Sequence, residues 1–181
     1  MQQAQKTKSQ LSDGDQLILA TVEAPHATDL LKVFEVARLV ADGAGTPARV
    51  AVDLGVKDRE GAQYLAAARA LRLVRKLPQG EPADYALSYL GESYLSAKGD
   101  KARAAVIVAS TLAAPHVVYV AERLGLLTPL SSPTPRELHD VDRVETALTS
   151  LEPLTGDTTH RRASTVVSWM KTVDRLARSI R

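Results

Sequence analysis

The chain has 181 residues, no cysteine and a formal net charge of +2 at neutral pH, which suits one compact domain or two small ones with a buried core. Without cysteine, a disulfide framework, a thiolate zinc site and a cysteine nucleophile are excluded. No apolar run reaches the roughly twenty residues that a membrane-spanning helix needs, and no apolar signal block follows Met1, so we expect a cytoplasmic protein without membrane contact.

Residues 1–16 are mostly polar and predict a disordered arm, and residues 17–99 are predicted to form a first domain. Its first helix is expected to follow an N-cap at residue 28 or 29 and to end at Gly43 and Gly45. Thr46 is then the N-cap of a second helix, with Pro47 in its first turn and its end at Gly55. Two short helices are therefore predicted before residue 56.

The sequence after the second helix predicts a sharp turn and a third helix. Gly55 can adopt the positive φ that ends a helix, and the apolar Val56 fits the angle between two helices. Asp58 is the expected N-cap of a helix that runs to about Leu71. Its core side is predicted to hold Ala62, Leu65 and Ala68, and the opposite side Arg59, Gln63, Ala66 and Ala70.

A hairpin is predicted next. "LRLVRKL" at residues 71–77 and "YALSYL" at residues 85–90 alternate in polarity as half-buried strands do, and the Pro- and Gly-containing "PQGEPAD" between them predicts a turn. "GESYLSAK" at residues 91–98 predicts another helix. The predicted order over residues 28–97 is thus three helices, two paired strands and a helix.

This order resembles the winged helix-turn-helix DNA-binding family. The segments that carry the resemblance are "DLGVKDREGAQYLAAARALRLV" and "YALSYLGESYL", and Leu87-Ser88-Tyr89-Leu90-Gly91 is similar to a Leu-Ser/Thr-x-x-Gly signature of that form. The tandem modules of prokaryotic regulators and of restriction and defence proteins are the nearest resemblance. It implies a mainly α fold, a two-stranded wing and binding to double-stranded DNA.

Residues 100–181 are predicted to form a second, helical domain. Residues 100–124 read as one helix interrupted at Pro115 or as two short ones, and a further helix is expected in residues 138–151. A last helix follows a capping loop at Thr155–Thr159 and buries a stripe that includes Trp169. Because "RRASTVVSWM" resembles the terminal helix of a helix-turn-helix unit, this domain is expected to be either a divergent second unit or a dimerisation domain.

Basic residues are concentrated in two blocks. Residues 57–76 hold six basic and two acidic side chains, and residues 159–181 hold six basic and one acidic, whereas residues 120–157 hold three basic and seven acidic. Such blocks are ordinarily solvated helix faces, but they also suit a polyanionic partner.

The candidate DNA-binding residues lie in these two blocks. The early residues of the third helix, Arg59, Glu60 and Gln63, are candidates for base edges, since Arg, Glu and Gln pair with guanine, cytosine and adenine. The candidates for phosphate are Lys57, Arg72, Arg75, Lys76, Arg161, Arg162 and Lys171. A homodimer is expected, with its interface in residues 102–124 or 141–151. No cofactor or metal is expected.

Two other functions stay open at the level of sequence. A winged helix can serve as a protein-interaction scaffold without touching DNA, and the alanines of the third helix would suit such a contact. The order His116, His139, Asp140 and a later aspartate also occurs in metal-dependent phosphohydrolases, although spacing alone is a weak indication.

Overall fold

The computed structural model describes residues 27–79, 81, 83–126, 134–149 and 156–181, without the side chains of residues 156 and 157. These ranges hold eight α-helices, one 3-10 helix and one two-stranded antiparallel sheet, so the prediction of a mainly helical protein is confirmed. The predicted arm at residues 1–16 and the start of the predicted first domain lie outside the described residues.

The three helices expected before the hairpin are present, as α1 (Leu30–Ala41), α2 (Pro47–Leu54) and α3 (Asp58–Ala70). The Asp29 carboxylate accepts hydrogen bonds from the N–H groups of the first turn of α1 at 3.0 and 3.2 Å. Thr46 Oγ1 accepts the N–H of Arg49 at 3.4 Å at the start of α2. Both predicted caps thus supply acceptors for N–H groups that have no partner within the helix.

The turn between α2 and α3 has the expected geometry. Gly55 has φ 65° and ψ 38°, in the left-handed region that glycine adopts without steric cost. Its N–H donates to the Val52 carbonyl at 3.1 Å, and the Val56 N–H donates to the Ala51 carbonyl at 2.9 Å. This is a Schellman motif, and the half-buried Val56 packs against the core as predicted.

A second glycine sets how closely α2 and α3 approach. A Cβ at Gly61 would meet the Pro47 carbonyl oxygen and would lie 2.7 Å from Cβ and 2.9 Å from N of Ala51. The backbones are therefore closer than any side chain at residue 61 would permit.

The predicted hairpin is present but shorter than expected. It consists of β1 (Val74–Lys76) and β2 (Tyr85–Leu87), with Val74 opposite Leu87 and Lys76 opposite Tyr85. The strands predicted at 71–77 and 85–90 are cut short at their outer ends because residues 71–72 form the turn that ends α3. Ser88 is already the N-cap of the next helix, α4 (Tyr89–Ser96), which begins two residues before the predicted helix.

Four further helices complete the chain: α5 (Asp100–Leu112), α6 (Pro115–Arg123), α7 (Val141–Thr149) and α8 (Gly156–Ile180), with a 3-10 helix at Arg136–His139. The interruption predicted at Pro115 is confirmed, since α5 and α6 meet at 54° with Pro115 in the first turn of α6. The capping loop predicted at residues 155–159 is wrong from residue 156 onward, because α8 already begins there.

One hydrophobic cluster joins the two predicted domains. Trp169 on α8 is 1% exposed, and its Nε1–H donates to the Ala27 carbonyl at 2.8 Å. The Ser168 hydroxyl donates to the neighbouring Thr28 carbonyl at 3.0 Å. Phe34 of α1 packs edge-on against Tyr94 of α4 in the same cluster, with ring centroids 5.1 Å apart. The segment before α1 and the last helix are therefore neighbours.

Among the described helices, none is by itself both long and apolar enough to cross a membrane, and α5 and α6 reach that length and hydropathy only when taken together across their bend.

Candidate nucleic-acid interface

Helix α3 exposes a narrow stripe of side chains. Arg59, Ala62 and Arg69 are exposed and Ala66 is half-buried, with the half-buried Gln63 beside them. These positions recur every three or four residues and lie along one face. The opposite face is buried and holds Tyr64, Leu65, Ala67, Ala68 and Ala70.

The predicted phase of α3 is therefore wrong at two positions. Ala62, expected in the core, is exposed, and Ala70, expected on the outer side, is buried. The physical reason is the contact of Gly61 with α2, which turns residue 61 inward and the adjacent residue outward. Tyr64 belongs to the core, since it is 9% exposed.

At the N-terminus of α3, the candidate residue Glu60 makes a structural contact. Lys57, and not Asp58 as predicted, is the N-cap residue, and Asp58 is the first residue of the helix. The Glu60 carboxylate accepts the Lys57 backbone N–H at 3.0 Å. Glu60 thus satisfies an N–H group at the helix start, where a negative charge is also favoured by the helix dipole.

The turn from α3 into β1 is held in a strained conformation. Arg72 has φ 58°, a left-handed value that costs a non-glycine residue roughly 1 kcal/mol. The Ser88 hydroxyl donates a hydrogen bond to the Arg72 carbonyl, and Ser88 Oγ accepts the Gly91 N–H at 3.2 Å. Gly91 is required because a Cβ there would meet the Leu73 carbonyl oxygen. Ser88 and Gly91 thus hold β2 and α4 against the end of α3.

The strand β1 continues the basic segment. Arg75 and Lys76 are exposed on β1, opposite Ala86 and Tyr85 on β2. Leu77 extends the pairing, its N–H donating to the Asp84 carbonyl at 2.8 Å. Two residues of the expected hairpin tip, 80 and 82, lie outside the described residues.

The cations from Lys57 to Lys76 are unpaired, as Lys171, Arg175 and Arg178 on α8 also are in the described ranges. In the ranges that the structure describes, all six are exposed and none forms an ion pair: Lys57, Arg59, Arg69, Arg72, Arg75 and Lys76. By contrast, Arg38 contacts Glu35 and Asp42 at 2.6 and 2.7 Å, and Arg49 contacts Asp53 at 3.2 Å. We refer to these six residues as the basic segment.

Arg69 is the member of the basic segment that was not among the sequence-based candidates. It lies ten residues after Arg59, and the series 59, 62, 66, 69 is a regular helical stripe. This spacing can be read from the sequence, but the stripe was not identified because Ala62 was predicted to lie on the core side of α3.

The second group of candidates lies on α8, whose neighbours include α5 and α7. Arg161 and Lys171 are exposed, but Arg162, which was also a candidate for phosphate, is partly buried. Because α8 begins at residue 156, both arginines lie in its second turn. Lys171, Arg175 and Arg178 form an exposed stripe at positions i, i+4 and i+7.

The two histidines of the phosphohydrolase alternative have different neighbours. His116 is buried edge-on against Trp169, with ring centroids 5.2 Å apart, and desolvation lowers its pKa to about 4. His139 Nε2 lies 3.2 Å from Asp174 and 2.6 Å from Thr134 Oγ1. Within the described ranges no group of three metal-ligating side chains is found.

Comparison of the chain with protein-family models, with curated proteins and with solved structures finds no match in any of the three.

Proposed function

We propose that this chain binds double-stranded DNA, with the start of the exposed α3 stripe, from Arg59 to Ala66, in the major groove and the other five residues of the basic segment on phosphates. The observation that carries the proposal is the set of six exposed, unpaired cations on α3 and the following strand. A cation without a carboxylate partner is available to replace a counterion on DNA.

The composition of the stripe supports base contacts near the start of α3. Arg59 and Gln63 have the donor patterns that pair with guanine and adenine, and α3 is a 13-residue helix, which the major groove accommodates. Ala62 and Ala66 present only methyl groups, which can touch the thymine methyl. Glu60 is left out of the base-reading set because its carboxylate already accepts the Lys57 N–H.

Phosphate contacts are assigned to Lys57, Arg69, Arg72, Arg75 and Lys76. They flank the proposed base-reading residues on both sides in sequence, as contacts that position a helix in the groove do. We assign Arg161 and Lys171 a weaker accessory role, since they lie on a different helix. Arg162 is left out because it is partly buried.

We further propose that residues 28–97 are a winged helix, with β1 and β2 as the wing. The order of elements, the Schellman turn at Gly55 and the Ser88 bond to the end of α3 support this assignment. A homodimer on a two-fold symmetric site follows from the usual symmetry of such readers, and transcription regulation or target recognition in a defence system would use it.

Fluorescence anisotropy with a labelled duplex of about 25 base pairs tests the proposal. Five phosphate contacts per chain predict, for each chain bound, a slope of about −4.5 for log K against log salt, which is a roughly 500-fold loss of affinity between 50 and 200 mM salt. Arg75→Ala should make this slope shallower by about 0.9. Arg59→Ala should weaken binding to a selected site more than to random DNA.

Arg143→Ala is the matched control, because it also removes one exposed arginine charge but from α7, where Arg143 lies 3.8 Å from Asp140. It should leave the slope unchanged. If the Arg59 and Arg75 variants bind as the unaltered chain does, the interface lies elsewhere. If the chain does not bind DNA at 50 mM salt, this proposal is refuted, and the alternative of a protein-interaction scaffold takes its place.

A further inference from the structure

A half-open cavity of about 260 Å³ lies against the C-terminal end of α3. One wall comes from Ala70–Arg72 and from Leu90 of α4. The other wall comes from Ala109 and Ser110 on α5 and from Ala113–Pro115 at the bend between α5 and α6. The cavity therefore joins the end of the proposed reading helix to the helices of the second half.

The walls favour a small and mostly apolar ligand. A cavity of about 150 Å³ is enough to hold benzene, so 260 Å³ suits a molecule of roughly ten non-hydrogen atoms. Among the described lining residues, the only hydroxyl, that of Ser110, already donates to the Val106 carbonyl at 2.7 Å. Little of the wall can hydrogen-bond to a polar body.

Arg72 gives the cavity its charge. Among the described lining residues it is the only ionisable one, and its guanidinium has no ion-pair partner in the described ranges. We propose that the cavity binds a small amphipathic carboxylate, with its apolar body against the walls and its carboxylate on Arg72. A charged hydrogen bond of this kind is the strongest polar contact that the lining offers.

The ligand would also regulate DNA binding, a consequence that rests on the proposed function. Arg72 belongs to the basic segment, and a guanidinium occupied by a ligand carboxylate is lost to a phosphate. The Ser88 bond fixes the backbone of Arg72, so the side chain serves both partners from one backbone position. Ligand and DNA should each weaken the binding of the other by the same factor.

Isothermal titration calorimetry of the full chain with octanoate, without DNA, tests the site. Octanoate has about ten non-hydrogen atoms and should bind saturably with one site per chain, whereas octan-1-ol should bind at least about tenfold more weakly. Arg72→Gln should reduce octanoate affinity to that of the alcohol. Ser110→Leu, which fills the cavity from α5, should abolish binding of both.

Arg75→Gln is the control, since it removes a neighbouring charge outside the cavity and should leave octanoate binding unchanged. Circular dichroism and the Tm of each variant establish that it is folded. Equal binding of acid and alcohol, full binding by the Ser110→Leu variant, or no heat with the unaltered chain would each overturn the site.

A second measurement separates this inference from the proposed function. Octanoate should weaken duplex binding by the unaltered chain but not by the Arg72→Gln variant. If octanoate binds as described and the chain ignores DNA, the proposed function and the regulation fail while the site stands. If DNA binds and octanoate has no effect on it, the regulation alone is refuted.

Discussion

Substituting Gly61 by alanine tests the close approach of α2 and α3. In a free helix this change is favourable by about 1 kcal/mol, because glycine has the larger conformational freedom to lose. Here the new Cβ would lie 2.7 Å from the Ala51 Cβ, so the helices would have to separate by about 0.7 Å to reach an ordinary contact of 3.4 Å.

Whether Gly61→Ala raises or lowers the free energy of unfolding depends on the cost of that separation. Overpacking that shifts the backbone costs roughly 1 to 3 kcal/mol, and the upper end applies because two of the atoms in the way, Ala51 N and Pro47 O, belong to the backbone of α2. After the helix-propensity gain, Gly61→Ala should lower the free energy of unfolding by about 2 kcal/mol. For a chain of this size the Tm should fall by roughly 4 to 8 °C.

Urea unfolding of Gly61→Ala beside Ala62→Gly measures the two contributions. Residue 62 is exposed on the same helix, so Ala62→Gly reports the propensity difference without a packing change and should cost about 1 kcal/mol. A Gly61→Ala variant more stable than the unaltered chain would refute the argument, since it would show that α2 leaves room for a methyl group.

Two further predictions concern single side chains. Ser88→Ala removes the N-cap of α4 and the hydrogen bond to the strained Arg72 turn. Urea unfolding should show that the free energy of unfolding falls by about 1 to 2 kcal/mol. The control, Ser93→Ala, should be close to neutral because the Ser93 hydroxyl bonds only within α4. For His116, the folded pKa of about 4 lies below the ordinary 6.5, so the unfolded state binds the extra proton first and stability falls as the pH drops from 6.5 to 4. Lowering the pH over that range should reduce the free energy of unfolding by about 3 kcal/mol. The free energy of unfolding of His116→Leu, measured against pH, should show a flatter profile. An unchanged profile would contradict the effect assigned to burial.

The helix ends of the first half could be predicted from the sequence because local chemistry determines them. Thr46 and Pro47 begin a helix, and Gly55 ends one, through contacts within a few residues of each other. The place of Trp169 on an apolar stripe of the last helix likewise predicted its burial. These signals need no knowledge of the rest of the chain.

The face of α3 could not be predicted in the same way. Five of its thirteen residues are alanines, which are neither clearly apolar nor polar, so the helix offers little hydrophobic contrast to set its phase. Instead, the close contact between Gly61 and α2, which is a tertiary contact, determines which face of α3 is buried. The partly buried Arg162 was missed for a similar reason, because the earlier start of α8 moves it into the second turn.

The hydrogen bond between Trp169 and the Ala27 carbonyl has a consequence for the order of folding. The aromatic residue against which the segment before α1 packs lies 142 positions later in the chain. A contact this distant in sequence forms only after a long loop has closed, which costs conformational entropy. We therefore expect the segment before α1 to become ordered only after α8 has formed, and a chain truncated before residue 169 would lack this contact.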